Sequence, residues 1–239
     1  MTYNFTDQVV LVAGGTGGLG RAVSLAFLGE GATVAVTYRV QEEFAALRNA
    51  AGKSAASLEG LAIDVTDDAA TRELAGKLIA GHGRLDVLVN AVGGYAGGTA
   101  LWETDSRLLD RMLAVNVRSG YALARAVAPA MVRQKHGAIV NVASQAALDH
   151  AAGAAAYAAS KAAALAMIDS LAADLKGTGV RANSILPSII DTEANRKAMP
   201  NADFAKWPKP EDIARVVLFL CSDDARLIHG AAIPVYGNM

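Results

Sequence analysis

The sequence predicts an α/β protein with a doubly wound, parallel sheet and helices on both of its faces. Short apolar runs rich in valine alternate with longer amphipathic runs along the chain. The short runs are apolar at nearly every position, which is typical of strands that are buried on both faces of a parallel sheet. A glycine-rich segment, Gly14–Gly20, follows the first run directly, where such folds turn from strand to helix.

Length and composition restrict the class of protein. A chain of 239 residues fits one open-sheet domain over residues 1–239. The 53% hydrophobic and 19% charged residues are typical of a soluble globular protein, and a net charge of −1 without a basic stripe argues against nucleic acid as a partner. The lone cysteine, Cys221, excludes an intramolecular disulfide. No signal-peptide pattern or membrane span is visible, so we expect a cytoplasmic protein.

Three strand–helix units and a fourth strand are predicted in the first half of the chain. Clusters of β-branched residues indicate the strands, and amphipathic runs indicate the helices. We expect strands over 9–13, 33–38, 58–64 and 85–90, and helices from the glycine-rich turn to about residue 30, over roughly 41–50, and up to about residue 82.

The second half continues this alternation and brings the number of strands to seven. Alanine is the strongest helix former, so an alanine-rich run predicts a helix over roughly 154–176, which Gly177 and Gly179 end. We expect the other helices over about 106–135 and 212–222, and the strands over 137–142, 180–186 and 231–236.

The unusual residues of the chain follow the carboxyl ends of the predicted strands. In parallel sheets, ligands bind at these ends, near the point where the strand order reverses. We therefore expect one crevice to collect Gly14–Gly20, Arg39, Asp64, Asn90–Gly98, Ser144 and Pro187–Thr192.

The glycine-rich segment predicts a nucleotide-binding turn. Gly14, Gly18 and Gly20 permit a tight turn, a close approach of a pyrophosphate to the backbone, and close packing of helix on strand. The helix that follows offers free N–H groups and the positive end of its dipole to phosphate.

The end of the second strand predicts which dinucleotide binds. Sites that prefer NAD(H) usually place an Asp or Glu there for the ribose 2′-hydroxyl, but this chain has Tyr38 followed by Arg39. An arginine fits the oxygens of a 2′-phosphate. We therefore expect NADP(H) to be preferred, with NAD(H) as the alternative.

Tyr157 and Lys161 lie one helical turn apart, which predicts proton transfer by the tyrosine. Lowering a tyrosine pKa from about 10 to about 7 requires roughly 4 kcal/mol. A cation about 4 Å away supplies around that amount at an effective dielectric constant of about 20. The other interpretation of this pair is a packed tyrosine beside a lysine that extends to solvent.

Together these motifs resemble those of the short-chain dehydrogenases/reductases over nearly the whole chain. The matching positions are the glycine pattern A-G-G-T-G-G-L-G, the pair Asp64-Val65, Asn116 in V-N-V, Ser144 in N-V-A-S, Tyr157 with Lys161, and Pro187 with Thr192. The resemblance implies a Rossmann-type domain and an oxidoreductase that transfers a hydride between a nicotinamide cofactor and a carbonyl or alcohol.

The resemblance also implies roles for individual residues. Tyr157 would be the general acid or base, Lys161 would lower its pKa and hold the ribose, and Ser144 would hydrogen-bond the substrate oxygen. Asn116 would position a water in a proton relay, or only bend its helix, and Thr192 would contact the carboxamide. The expected cofactor contacts are Gly14, Thr16, Gly18, Leu19, Gly20, Tyr38, Arg39, Asp64, Val65, Asn90, Ala91, Gly93, Tyr157, Lys161, Pro187, Ile189 and Thr192.

The chain departs from the family pattern near the nicotinamide end. Ala91-Val92 replaces the middle of the usual N-N-A-G, and Ser188 replaces a common glycine. Residues 93–98 and 191–207 resemble those of dihydropteridine reductases, a branch that uses NADH and lacks the active-site serine. Ser144 and Arg39 argue against that activity, which stays as an alternative.

We expect a substrate lid over residues 188–208, because this segment follows a strand end without strong periodicity. The residues expected to line a substrate pocket are Tyr95, Ser144, Met199, Phe204 and Trp207, although the apolar ones could equally pack within the lid.

The expected partners are a small-molecule carbonyl or alcohol and further copies of the chain. In this family the long helix and the Tyr157 helix pack in four-helix bundles, and small residues surround much of the latter helix. We expect a homotetramer, with a dimer as the alternative. The four histidines are dispersed, so no metal is expected. A non-catalytic nucleotide sensor is disfavoured because all four catalytic residues are present.

Overall fold

The computed structural model describes residues 3–238, so Met1, Thr2 and Met239 of the predicted domain lie outside it. Seven strands form one parallel sheet in the order β3-β2-β1-β4-β5-β6-β7. The strands are β1 (Val9–Ala13), β2 (Thr33–Tyr38), β3 (Leu58–Ala62), β4 (Val87–Asn90), β5 (Gly137–Val142), β6 (Val180–Pro187) and β7 (Ala232–Val235). The predicted seven-stranded, doubly wound sheet is confirmed.

Eight α-helices connect or follow the strands of this sheet in the described part of the chain. They are α1 (Gly18–Gly29), α2 (Gln41–Ala51), α3 (Asp68–His82), α4 (Ser106–Leu113), α5 (Ser119–Gln134), α6 (Ala155–Asp174), α7 (Glu193–Ala198) and α8 (Pro210–Cys221). Among these residues no helix is both long enough and apolar enough to span a bilayer.

Each central strand divides its side chains between two hydrophobic clusters, one on each face of the sheet. In β1, Val10 and Val12 belong to the cluster that α1 and α8 cover. Val9, Leu11 and Ala13 belong to the cluster that α3, α5 and α6 cover. Because strand side chains alternate between faces, an apolar run such as Val9–Ala13 can be buried at all five positions.

The predicted helix over residues 106–135 is interrupted, and this corrects the sequence analysis. One turn of π-helix, Ala114–Arg118, separates α4 from α5. Asn116 lies in this turn and bonds to the backbone of Gly94, outside the helix. Such insertions are often found at functional sites.

The order of the strands reverses between β1 and β4, which opens a crevice at their carboxyl ends. From β1 the chain continues to β2 and β3 on one side of it, and β4 then lies on the other side of β1. A parallel sheet binds its ligands at this kind of switch point. The glycine-rich turn after β1 and the Asn90–Gly98 segment after β4 therefore face each other, as the sequence predicts.

Candidate active site

The glycine-rich turn brings the start of α1 very close to the end of β1. Gly14 has a left-handed backbone with a φ of +71°, and its N–H donates to Thr37 Oγ1 at 2.9 Å. A Cβ atom on Gly20 would lie 2.1 Å from the carbonyl oxygen of Gly14. Since no larger residue fits there, glycine is required for helix and turn to approach this closely.

A cavity of about 350 Å³ lies beside this turn, at the carboxyl ends of β1, β2 and β4. Its lining fits a dinucleotide, because it includes Gly14 and Gly17 of the turn, which have no side chains to fill the space before α1. Eight of the residues predicted to contact the cofactor line it, namely Gly14, Thr16, Tyr38, Arg39, Asp64, Val65, Ala91 and Gly93.

The remaining predicted cofactor residues lie around the cavity or support its walls. Leu19 and Asn90 are 8% and 3% exposed, so they support the site from within the core. Thr192 packs against Gly18, where a Cβ atom would lie 2.7 Å from its Cγ2 atom. Pro187 ends β6, and Ile189 follows it at partial exposure.

The charged residues that line the cavity are Arg39, Glu43 and Asp64. The Asp64 carboxylate accepts hydrogen bonds from the N–H and Oγ1 of Thr66, at 2.9 and 2.8 Å. These bonds, together with the nearby Arg39 charge, lower the pKa of Asp64. The Tyr38 ring also lines the cavity and stacks on Phe44, with centroids 4.8 Å apart.

Tyr157, in the first turn of α6, is partly buried with its phenol close to Ser144. Burial raises the pKa of Tyr157, while hydrogen bonding with Ser144 acts in the opposite direction and Tyr95 adds to the increase. Desolvation of the phenol is the largest of these effects, and the predicted lowering of the Tyr157 pKa by Lys161 stays a prediction.

Lys161 is buried at 6% exposure, and its amine donates to the carbonyl of Val142 at 3.0 Å. Burial lowers the pKa of Lys161 to about 8. The bond ties α6 to the carboxyl end of β5, so the amine does not extend to solvent as in the other interpretation of the Tyr–Lys pair. At neutral pH the side chain is still mostly protonated, and it places a positive charge at the inner end of the crevice.

Asn116 joins the π-turn to the residues around Tyr157. Its Oδ1 atom accepts from the N–H of Gly94 at 2.9 Å, and its Nδ2 atom donates to the carbonyl of Gly94 at 3.0 Å. Nδ2 also donates to Ser160 Oγ at 2.9 Å. A Cβ atom on Gly93 would lie 3.1 Å from both Asn116 Oδ1 and Lys161 Nζ, so the glycine leaves these two groups in proximity.

Ser160 is a residue of the site that the sequence analysis missed. It is fully buried, accepts from Asn116, and donates to the carbonyl of Tyr157 at 2.7 Å. A serine three positions after the tyrosine, within an alanine run, was the signal available in the sequence. It links Asn116 to the first turn of α6 and so fixes the tyrosine backbone.

The predicted substrate pocket is only partly assembled. Tyr95 lies against Tyr157, with ring centroids 4.9 Å apart in an edge-to-face arrangement, and it is 67% exposed. Trp207 is 7% exposed and packs on Phe204 with centroids 5.0 Å apart. Trp207 and Phe204 therefore pack against each other within residues 188–208, and Met199 lies half-buried in the same segment.

The segment over 188–208 is more ordered than the sequence indicates. It contains α7 and a short 3₁₀ turn, Phe204–Lys206, and the Arg196 guanidinium lies 4.8 Å from the Phe204 ring centroid. Ser188, one of the departures from the family pattern, donates to the carbonyl of Tyr236 at 2.8 Å. Its hydroxyl thus anchors the beginning of this segment to the end of the chain. Within residues 3–238, no group of three or more His, Cys, Asp or Glu side chains could hold a metal ion.

Comparison with known proteins identifies the family. A family profile described as short chain dehydrogenase matches residues 8–203. The 3-oxoacyl-[acyl-carrier-protein] reductase of Thermotoga maritima is 31% identical, over 97% of each chain. The D-threitol dehydrogenase of Mycolicibacterium smegmatis is 34% identical, over 99% of this chain and 94% of the relative. The chain belongs to the short-chain dehydrogenase family.

Solved structures agree with the fold and with a dinucleotide ligand. ElxO with NADP bound is 26% identical, with a TM-score of 0.91 over 96% of this chain and 97% of the other. NAD⁺-bound xylitol dehydrogenase is 25% identical, with a TM-score of 0.90 over 98% of this chain and 99% of the other. The protein is thus a nicotinamide-dependent oxidoreductase that acts on a carbonyl or alcohol.

Burial of Lys161 predicts a pH-dependent stability. The pKa of Lys161 is about 8 in the folded protein against 10.5 for a solvated lysine, so the unfolded chain binds more protons between these values. The free energy of unfolding of the wild type should therefore rise, relative to that of Lys161→Met, by about 3 kcal/mol between pH 7.5 and pH 10.5.

Urea unfolding of both proteins at several pH values measures this difference, in which the other ionisations cancel. The exposed Lys176 serves as the control, because Lys176→Met removes a lysine that is solvated in both states. A difference between wild type and Lys161→Met that stays constant with pH would contradict the prediction.

Proposed function

We propose that Tyr157 is the general acid when a carbonyl is reduced and the general base when an alcohol is oxidised. The observation that supports this is the hydrogen bonding between its phenol and Ser144, one helical turn from the buried, cationic Lys161. We expect the lysine charge to favour loss of the phenol proton during turnover, and the Ser144 hydroxyl to bind the substrate oxygen that exchanges this proton.

The neighbouring residues have supporting roles. Ser144 hydrogen-bonds the substrate oxygen, and its own position is fixed because its Oγ accepts from the N–H of Ala146 at 3.1 Å. Lys161 binds the cofactor ribose and restores the proton of Tyr157. Asn116 positions a water for that proton path. The nicotinamide, when bound, supplies or accepts the hydride.

We propose that the dinucleotide is held by the turn after β1 and by residues after β2, β3, β4 and β6, as the sequence analysis expects. NADP(H) is preferred, with NAD(H) as the alternative. Arg39 supports this preference, since it lines the cavity and no described residue forms an ion pair with it. Related structures hold either dinucleotide, so the family alone does not determine the choice.

The substrate is a small-molecule carbonyl or alcohol, and Tyr95 is the residue best placed to contact it. Relatives carry names for substrates as different as an acyl thioester on a carrier protein and threitol. The comparisons give no support to the pterin-reductase alternative or to a nucleotide sensor. The cytoplasm is the proposed location.

A homotetramer is the proposed assembly, with a dimer as the alternative. The outer surface of the α4–α5 helices has the exposed apolar residues Leu109 and Tyr121, at 40% and 55% exposure. On α6, Ala155, Ala159 and Ala166 are exposed and small, which lets a second helix approach closely.

Replacing the catalytic phenol tests the mechanism. Tyr157→Phe should lower kcat by about 10²- to 10⁴-fold, the range of general acid–base catalysis, because the phenol is the proton donor and acceptor. Binding of the dinucleotide, followed by fluorescence titration, should change little. Tyr3→Phe removes a phenol before the opposite end of β1 and is the control. Turnover of Tyr157→Phe close to that of the wild type would refute the proposed role.

Replacing the arginine after β2 tests cofactor preference. Arg39→Gln should lower kcat/KM for NADPH about tenfold, the loss of one charge-assisted contact to phosphate, and should change kcat/KM for NADH far less. Arg48→Gln, on the exposed side of α2 and outside the cavity, is the control. Equal or better efficiency of the wild type with NADH would rule out the NADP(H) preference.

Light scattering at micromolar concentration tests the assembly. The expected mass is about four times the 24.6 kDa of one chain. Tyr121→Glu should reduce it, because a charge on the apolar face of α5 opposes association. Lys53→Glu, exposed near the β3 edge, should leave it unchanged. A monomeric wild type would overturn the proposal.

A further inference from the structure

We infer that Glu43 is a second determinant of cofactor choice, and that its carboxylate accepts hydrogen bonds from the adenosine ribose and opposes a 2′-phosphate. The inference rests on the proposed dinucleotide site. Glu43 belongs to none of the motifs that predict that site, since it lies in the first turn of α2.

The position of the carboxylate is fixed from the opposite wall of the cavity. Glu43 Oε2 accepts a hydrogen bond from Thr16 Oγ1 at 2.9 Å. Thr16 lies in the glycine-rich turn before α1, 27 positions away in the sequence. Both residues line the cavity together with Arg39. The contact therefore holds a negative charge between the phosphate-binding turn and the residue that would bind a 2′-phosphate.

The end of β2 explains why this carboxylate matters. The position usually filled by an Asp or Glu is Tyr38, and its hydroxyl donates to Gln41 Oε1 at 2.6 Å. Its ring stacks on Phe44, and Tyr38 therefore offers no carboxylate to the ribose. The two acidic residues that line the cavity each accept from a threonine, Asp64 through Oδ1 from Thr66 and Glu43 through Oε2 from Thr16. Glu43 lies on the helix that directly follows β2, and its other oxygen can accept from a ribose hydroxyl.

The opposite charges of Glu43 and Arg39 act on the two cofactors in opposite directions. A carboxylate accepts hydrogen bonds but donates none, so it suits the hydroxyls of NAD(H) and repels the phosphate of NADP(H). Arg39 attracts that phosphate. The preference is thus a balance, and Glu43 limits how strongly Arg39 can favour NADP(H).

A simpler role for Glu43 is to stabilise α2, because acidic residues in a first turn interact favourably with the helix dipole. Glu42 lies in the same turn, is exposed, and does not line the cavity. Glu42→Gln therefore removes the same dipole interaction without changing the charge in the cavity, which makes it the matched control.

The test compares wild type, Glu43→Gln and Glu42→Gln. In Glu43→Gln, the ratio of kcat/KM for NADPH to that for NADH should rise about three- to tenfold, as expected for removing an exposed charge next to a dianion. Calorimetric titration should show tighter NADP⁺ binding and weaker NAD⁺ binding, and the gain for NADP⁺ should shrink as salt is raised from about 0.05 to 0.5 M. Glu42→Gln should match the wild type.

The outcomes separate this inference from the proposals on which it builds. A ratio within twofold of wild type in Glu43→Gln, or an equal change in Glu42→Gln, overturns the role of Glu43. A wild type that prefers NADH, combined with the expected rise in Glu43→Gln, supports the role of Glu43 and contradicts the preference assigned through Arg39. A wild type that binds neither dinucleotide overturns both the proposed site and this inference.

Discussion

The burial of a cationic lysine at the carboxyl end of β5 is the constraint around which the active site is organised. Lys161 is 6% exposed, and its amine is held by the carbonyl of Val142. Burial of a charge costs free energy unless hydrogen bonds or charges compensate for it, and the lowered pKa of about 8 reflects that cost. Groups with strongly shifted pKa values are often found at functional sites, which agrees with the proton transfer proposed for Tyr157 one turn away.

The buried Lys161 amine also restricts which residues can lie next to it. Gly93 leaves space beside the amine, and Asn116 occupies the other side of that space. Asn116 reaches it from a π-turn, and Ser160 connects it to the backbone of Tyr157. The sheet, the interrupted helix and α6 thus meet at one group of polar atoms, and a shift in any of them would move the phenol.

The two ends of the crevice have different proposed roles, which are proton transfer at the inner end and cofactor choice at the outer end. The inner end, around Tyr157 and Ser144, fits the chemistry of the short-chain dehydrogenase family to which the chain belongs. The outer end has an arginine, a stacked tyrosine and a glutamate held by a threonine. We propose that its charges decide between cofactors that differ by one phosphate.

The sequence alone was sufficient for the seven strands, their parallel arrangement and the residues at their carboxyl ends, because periodicity, glycine turns and helix spacing are local properties. Only the tertiary structure decided the bonding of Lys161 to Val142, the raised pKa of Tyr157, the π-turn at Asn116 and the contact of Thr16 with Glu43. Each of these depends on burial or on atoms brought together from distant parts of the chain. A sequence pattern specifies neither how well a group is solvated nor which distant residues it contacts. In this site, solvation and long-range contacts set the charge and the orientation of the residues.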